Sequence, residues 1–184
     1  NFPRTVGAYQ EFYWAAVDAF VTRFGPDGTL IWSTYLGGEG LDAIEAATLD
    51  EGSCAYLTGQ TRSLEFATSP AAFQDYRAGA RSACVTEMDA DGSVLLYSTF
   101  LGGSSCSVYG QAIAIDDDDE FRAVVAGRVS GSSFPVTPYA FDVTYNGGWD
   151  GFVAKLNGTG SSLLCATYLG GSEGDELYGV CVGP

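Results

Sequence analysis

Apolar and polar positions along this chain alternate with a period of two rather than a helical period. Val108–Ile115 (VYGQAIAI) places small or polar residues between apolar ones, as a strand with one buried face does. The Asp116–Asp119 turn follows. Phe121–Val129 reads as a second strand, Asp150–Leu156 as a third and Ser161–Leu169 as a fourth. Between the second and third lies a long irregular segment, Ser130–Trp149, with Pro135, Pro138 and Gly147-Gly148. Asn157-Gly158-Thr159-Gly160 predicts a tight turn between the third and fourth strands, because Asn and Gly carry least strain at positive φ.

The same pattern recurs. DAFVTRFGPDGTLIWSTYLGG (Asp18–Gly38), SACVTEMDADGSVLLYSTFLGG (Ser82–Gly103) and DGFVAKLNGTGSSLLCATYLGG (Asp150–Gly171) align from end to end. Gly37, Gly102 and Gly170 are spaced by 65 and 68 residues. Phe2-Pro3, Phe66 and Phe134-Pro135 are spaced by 64 and 68, as are Ala8-Tyr9-Gln10, Ala72-Phe73-Gln74 and Ala140-Phe141-Asp142. Tyr56-Leu57-Thr58-Gly59 matches Val124-Val125-Ala126-Gly127, again 68 apart. Gly28 and Gly92 close the equivalent turns. Units of this kind bury their faces only against one another. The expectation is an all-β chain of β-propeller blades, each with four antiparallel strands.

The register divides one domain, 1–184, into a half-blade (1–38), two full blades (39–103 and 104–171) and the first strand of another (172–184, with Glu176–Val182 as the strand). Propellers have about 4–8 blades, so the chain is expected to be part of a larger chain or assembly. It opens on Asn1 without an initiator Met or signal peptide, which points the same way. Three arrangements stay open. The chain is a fragment of a larger propeller, or a half-blade permutation whose last strand completes another blade by exchange into a ring or filament, or an open arc with its edges covered by partners.

The segments DAFVTRF…DGTLIWSTYLGG and DGFVAKL…SSLLCATYLGG, with NFP…GAYQ and FPVTPYAF…YNGGWDGFVAKL, resemble the SBBP ("seven-bladed β-propeller") repeat family over nearly the whole chain. The middle repeat departs from that pattern at Ser82, Cys84 and Met88. The resemblance implies an extracellular or cell-surface module of a larger protein. It carries no catalytic residues to transfer.

Composition narrows the chemistry. The 184 residues include 25 Gly, and hydrophobic residues make up 46%, too many for a disordered chain. There is no His, hence no Ser-His or Cys-His nucleophile pair and no imidazole metal site. Eight Lys+Arg against 23 Asp+Glu give a net charge of −15, which argues against nucleic acid and against anionic membrane surfaces. No apolar run reaches the ~18–20 residues needed to span a bilayer.

Several features could carry a site. Asp116, Asp117, Asp118 and Asp119, followed by Glu120, form a weak Ca²⁺ candidate, but they lack the spacing of a Ca²⁺ loop and suit a solvated turn better. Asp89-Ala90-Asp91-Gly92 is explained by turn chemistry. Gly38-Glu39-Gly40-Leu41-Asp42-Ala43 matches a loose dinucleotide pattern but opens no helix. No pair among the acids stands out as glycosidase-like. Cys84 aligns with Phe20 and Phe152 and should be buried. Cys54, Cys106, Cys165 and Cys181 are possible disulfide cysteines of undetermined pairing. Asn157-Gly158-Thr159 is an N-glycosylation sequon that also suits the turn. Tyr13, Trp14 and Trp149 sit in the long loops, where they could bind a glycan or partner or pack between blades.

The functional expectation is a non-enzymatic scaffold without a cofactor, partnered by other repeats or by itself. Carbohydrate or protein binding through loop aromatics is the alternative, and a propeller-fold glycosidase or lyase a further one.

Overall fold

Alternation in the sequence becomes alternation in burial. The computed structural model describes residues 2–14, 17–117 and 121–183, and its regular structure is all β, with no helix among these residues. The strands are β1 (Ala19–Phe24), β2 (Leu30–Leu36), β3 (Asp42–Leu49), β4 (Ala55–Thr61), β5 (Ser82–Met88), β6 (Leu95–Leu101), β7 (Ser107–Asp116), β8 (Arg122–Ser130), β9 (Asp150–Leu156) and β10 (Leu163–Leu169). They form three antiparallel meanders: a two-stranded first sheet (β1–β2), a four-stranded second sheet (β3 to β6) and a four-stranded third sheet (β7 to β10).

The repeat landmarks have structural causes. β3 bulges between Ile44 and Ala46 opposite Gly59, and β7 bulges at the same place, between Gly110 and Ala112 opposite Gly127. A Cβ on Gly59 would lie 2.8 Å from the Cα of Ile44, and one on Gly127 would lie 3.0 Å from the carbonyl carbon of Tyr109. Only glycine fits under the bulge. Gln10, Gln74 and Asp142 tie each long loop to the last strand of its sheet. The backbone N–H groups of Tyr35, Phe100 and Tyr168 donate to their three carbonyls, each at 3.0 Å. Gln74 also accepts from Gly102 N–H (3.1 Å) and donates to the Tyr76 carbonyl (2.7 Å), which holds the Gly-Gly corner. Phe66 and Phe134 plug the sheets from the loops, Phe134 with its ring 4.7 Å from Phe152.

One parallel bridge joins each pair of successive sheets, Val17–Leu41 and Arg81–Ser107, and a third at the equivalent place, Trp149–Gly174, ties the third sheet to the segment after β10. Past each Gly-Gly corner the chain is held by a short cap. Gly38 N–H donates to Asp42 Oδ2 (2.8 Å) and Gly171 N–H to Asp175 Oδ2 (2.7 Å), while Gly103 N–H donates to Cys106 Sγ (3.2 Å). The core lies between the sheets. One cluster joins the second and third (Tyr56, Val85, Tyr97, Val108, Val125, Phe152), and another joins the first and second (Trp32, Leu36, Leu57, Cys84, Met88, Phe100). Cys84 is fully buried there, and burial pushes its thiol up to about 12.

Two expectations need revision. Glu176–Val182 is in no strand, since it has no hydrogen-bonded strand neighbour among the described residues. It lies instead near β7, with Val180 and Val182 beside Ile113 and Ile115. In the turn at 157–160 the positive φ falls on Gly160 (64°), as on Gly28 (81°) and Gly92 (67°), and not on Gly158. The reason is the side chain of Asn157, whose Oδ1 accepts from Ser161 N–H (2.8 Å) and Ser162 N–H (3.1 Å). Asp89 Oδ1 does the same for Ser93 (2.7 Å) and Val94 (2.9 Å).

Candidate functional site

The first sheet presents an open apolar face. Phe20 and Phe24 stand on β1 where the other sheets carry Cys84 and Met88 on β5, and Phe152 and Leu156 on β9. Those four are 0% exposed, whereas Phe20 is 56% and Phe24 61% exposed. β5 and β9 are each flanked by two strands. β1 pairs only with β2, so among the described residues one edge carries unpaired N–H and C=O groups next to an apolar face. Phe2 covers part of it, its ring 4.2 Å from that of Phe20.

The second feature is a stack of cations and aromatics at the junction of the second and third sheets. Arg81 precedes β5 and Trp149 precedes β9. Tyr109 is on β7 and Arg128 on β8. The guanidinium of Arg81 lies 4.8 Å over the Tyr109 ring, and that of Arg128 lies 4.5 Å over Tyr109 and 4.8 Å over Trp149. Arg128 also pairs with Glu176 at 2.5 Å. A hydrogen bond from Tyr178 and the contact with Arg128 hold the Glu176 carboxyl below its ordinary range. Trp149 is therefore packed into the junction. Tyr13 and Trp14 differ from it: Trp14 is 75% exposed, on the rim of a cleft of about 330 Å³ that Gln10, Glu39 and Glu65 also line.

A third feature had no signal in any single motif. Asp50, Cys54 and Glu87 converge at the β3–β4 turn and the end of β5, their ligand atoms all within 4.8 Å of one another. Burial, and then the nearby Asp50 and Glu87 carboxylates, push the Cys54 thiol up. Burial also raises Glu87, a hydrogen bond from Tyr56 partly opposes this, and Asp50 raises it further. These three residues do not stand together in the chain. The signal that could have found them is the alignment of repeats, in which Arg23, Glu87 and Lys155 share one position.

The remaining sequence candidates fall as follows. Asp116 ends β7, buried, and ion-pairs with Lys155, so it is not a free member of a carboxylate cluster. Asp117 lines a surface cleft, while Asp118 and Asp119 lie outside the described residues. Asn157 donates from Nδ2 to Thr159 Oγ1 (3.1 Å) and Ser161 Oγ (3.0 Å) inside its turn. Cys54, Cys106, Cys165 and Cys181 are all free, with no disulfide among the described residues. Cys106 instead donates its S–H to the Gly103 carbonyl (3.4 Å). Among the described residues no helix is long and apolar enough to cross a membrane. No protein-family model matches the chain, and no curated protein matches it.

Proposed function

We propose that this chain is a non-enzymatic structural module of an extracellular or cell-surface β-propeller of the SBBP-repeat type, working by strand addition. Its open first sheet takes up the missing half of a blade from another repeat, in the same polypeptide or a second copy. The observation that carries the reading is the contrast along one repeat position. Phe20 and Phe24 are exposed, while Cys84, Phe152, Met88 and Leu156 are fully buried. Burying two Phe side chains is worth roughly 1.5–3 kcal/mol each, and backbone pairing along β1 adds directionality to the docking. The recurring bridges between sheets supply the geometry by which one more unit would join.

The test is complementation. A peptide spanning residues 39–61, the first half of a repeat, is titrated into the purified chain, and self-association is followed by sedimentation. The expected result is saturable peptide binding or concentration-dependent assembly, lost in Phe20→Ser/Phe24→Ser. A chain that stays monomeric and binds no such peptide overturns the reading. A second reading, glycan recognition, rests on exposed Trp14 and Tyr13 beside the cleft with Gln10 and Glu39. Binding on a glycan array that disappears in Trp14→Ala would favour it.

A further inference from the structure

The three sheets differ at one place where their backbones agree. Arg23 pairs with Trp32 across β1–β2, Glu87 with Tyr97 across β5–β6, and Lys155 with Cys165 across β9–β10. In the first sheet the Arg23 guanidinium donates to the Ala90 carbonyl (2.8 Å), and in the third the Lys155 ammonium pairs with Asp116. The second sheet puts a carboxylate where its neighbours put a cation.

The surrounding positions sharpen the contrast. Leu49 faces Ala55 and Ile115 faces Ala123 in the same register, so Asp50 corresponds to Asp116 and Cys54 to Arg122. The third sheet thus assembles one acid with two cations, and the second assembles two acids with a thiol. Glu87 is only 8% exposed. Tyr97, 3% exposed and directly across the strand pair from Glu87, has a buried hydroxyl with no hydrogen-bond partner among the described residues.

From these observations we infer that Asp50, Cys54 and Glu87 form a binding site for a zinc-class divalent cation, which does in the second sheet what Lys155 does in the third. One sulfur and two carboxylate oxygens suit a borderline-soft ion and not Ca²⁺ or Mg²⁺, which favour oxygen donors alone. A tetrahedral centre with bonds of about 2.0–2.3 Å is reached from donors within 4.8 Å of one another by small side-chain rotations. On binding, the Cys54 S–H bond breaks, its proton passes to solvent and the sulfur lone pair goes to the metal. A water takes the fourth position, and the Tyr97 hydroxyl is placed to hydrogen-bond to that water or to Glu87. Ligands from the β3–β4 turn and from β5 would then be locked together.

The test uses the full chain carrying Cys165→Ser and Cys181→Ser, which removes the exposed thiols. Cd²⁺ should produce a thiolate-to-metal ultraviolet absorption band saturating at one equivalent. Zn²⁺ should abolish that band and excess Ca²⁺ should not. Cys54→Ser should eliminate it, Cys106→Ser should leave it intact, and Glu87→Gln should weaken Cd²⁺ binding by about tenfold or more. The proposal is overturned if no band appears at one equivalent, if the band survives Cys54→Ser, or if Ca²⁺ displaces Cd²⁺. Should Cys54→Ser fail to fold, Glu87→Gln decides, because it keeps the thiol: unchanged affinity overturns the site.

Discussion

Glu87 and Lys155 occupy the same place in successive sheets, Glu87 directly across from Tyr56 on β4 and Lys155 directly across from Val124 on β8. Their charges are opposite, so the acid beside each meets opposite fields: Asp116 has an ammonium partner, and Asp50 faces a second carboxylate and the Cys54 thiol. Because burial raises Glu87, the folded metal-free chain holds that proton more tightly than the unfolded chain does. The destabilising effect of its charge is therefore absent below the ordinary carboxylate range and grows as pH rises through the raised value. In EDTA, Glu87→Gln should raise Tm at neutral pH by roughly 2–4 °C, the size of a difference of about 1 kcal/mol in a chain of this length. The gap should close on acidification. Thermal melts of both proteins between acid and neutral pH check this.

Lys155→Met removes the ammonium from buried Asp116. Breaking a buried pair costs about 3–5 kcal/mol, but the Lys155 side chain is 28% exposed. Solvent reduces the expected loss to roughly 1–3 kcal/mol. Adding Asp116→Asn should recover part of it. Urea denaturation of the two variants measures both effects.

Phe152 and Phe20 hold one repeat position, with opposite consequences. Phe152→Ala should cost about 3–5 kcal/mol because it opens a cavity in a filled core. Phe20→Ala should cost the isolated chain below about 1 kcal/mol and weaken association instead. Equal stability losses in denaturant would contradict the view that β1 has an open face.

Gly28 and Gly92 both have positive φ in equivalent turns. A Cβ on Gly28 meets nothing within 4 Å, whereas one on Gly92 would lie 2.6 Å from a ring carbon of Trp32. Gly28→Ala should cost about 1 kcal/mol for its backbone alone. Gly92→Ala should cost roughly 2 kcal/mol or more, since the ring must also shift. Tryptophan fluorescence should change in the second variant and not in the first.

Much of the architecture was legible because strand formation here is local. The alternation in VYGQAIAI, the turn glycines and the aligned Tyr-Leu-Gly-Gly ends predicted strands that agree with the observed ones within a few residues. Cys84 was legible as a buried residue because the repeats place it opposite Phe20 and Phe152. The Asp116–Asp119 run misled by its prominence: Asp116 belongs to β7 and to Lys155, which is 39 residues away. Cys54 was legible only as a possible disulfide cysteine, and its grouping with Asp50 and Glu87 was not legible, since Glu87 reaches the β3–β4 turn only once β4 aligns that turn with β5.

The sequence by itself determined the all-β class, the repeat and the first three figures of a strand tally read as two, four, four and one; the last strand, Glu176–Val182, is not formed. Each depends on side-chain alternation and on glycines at turns and under bulges, where a side chain would add strain or clash. Tertiary structure alone decided which copies of a repeated position are buried. Phe152 and Phe20 present the same side chain, but burial depends on having a strand on each side. It also decided where charge is compensated, because Coulombic pairing depends on distance through space, and sheet register sets that distance.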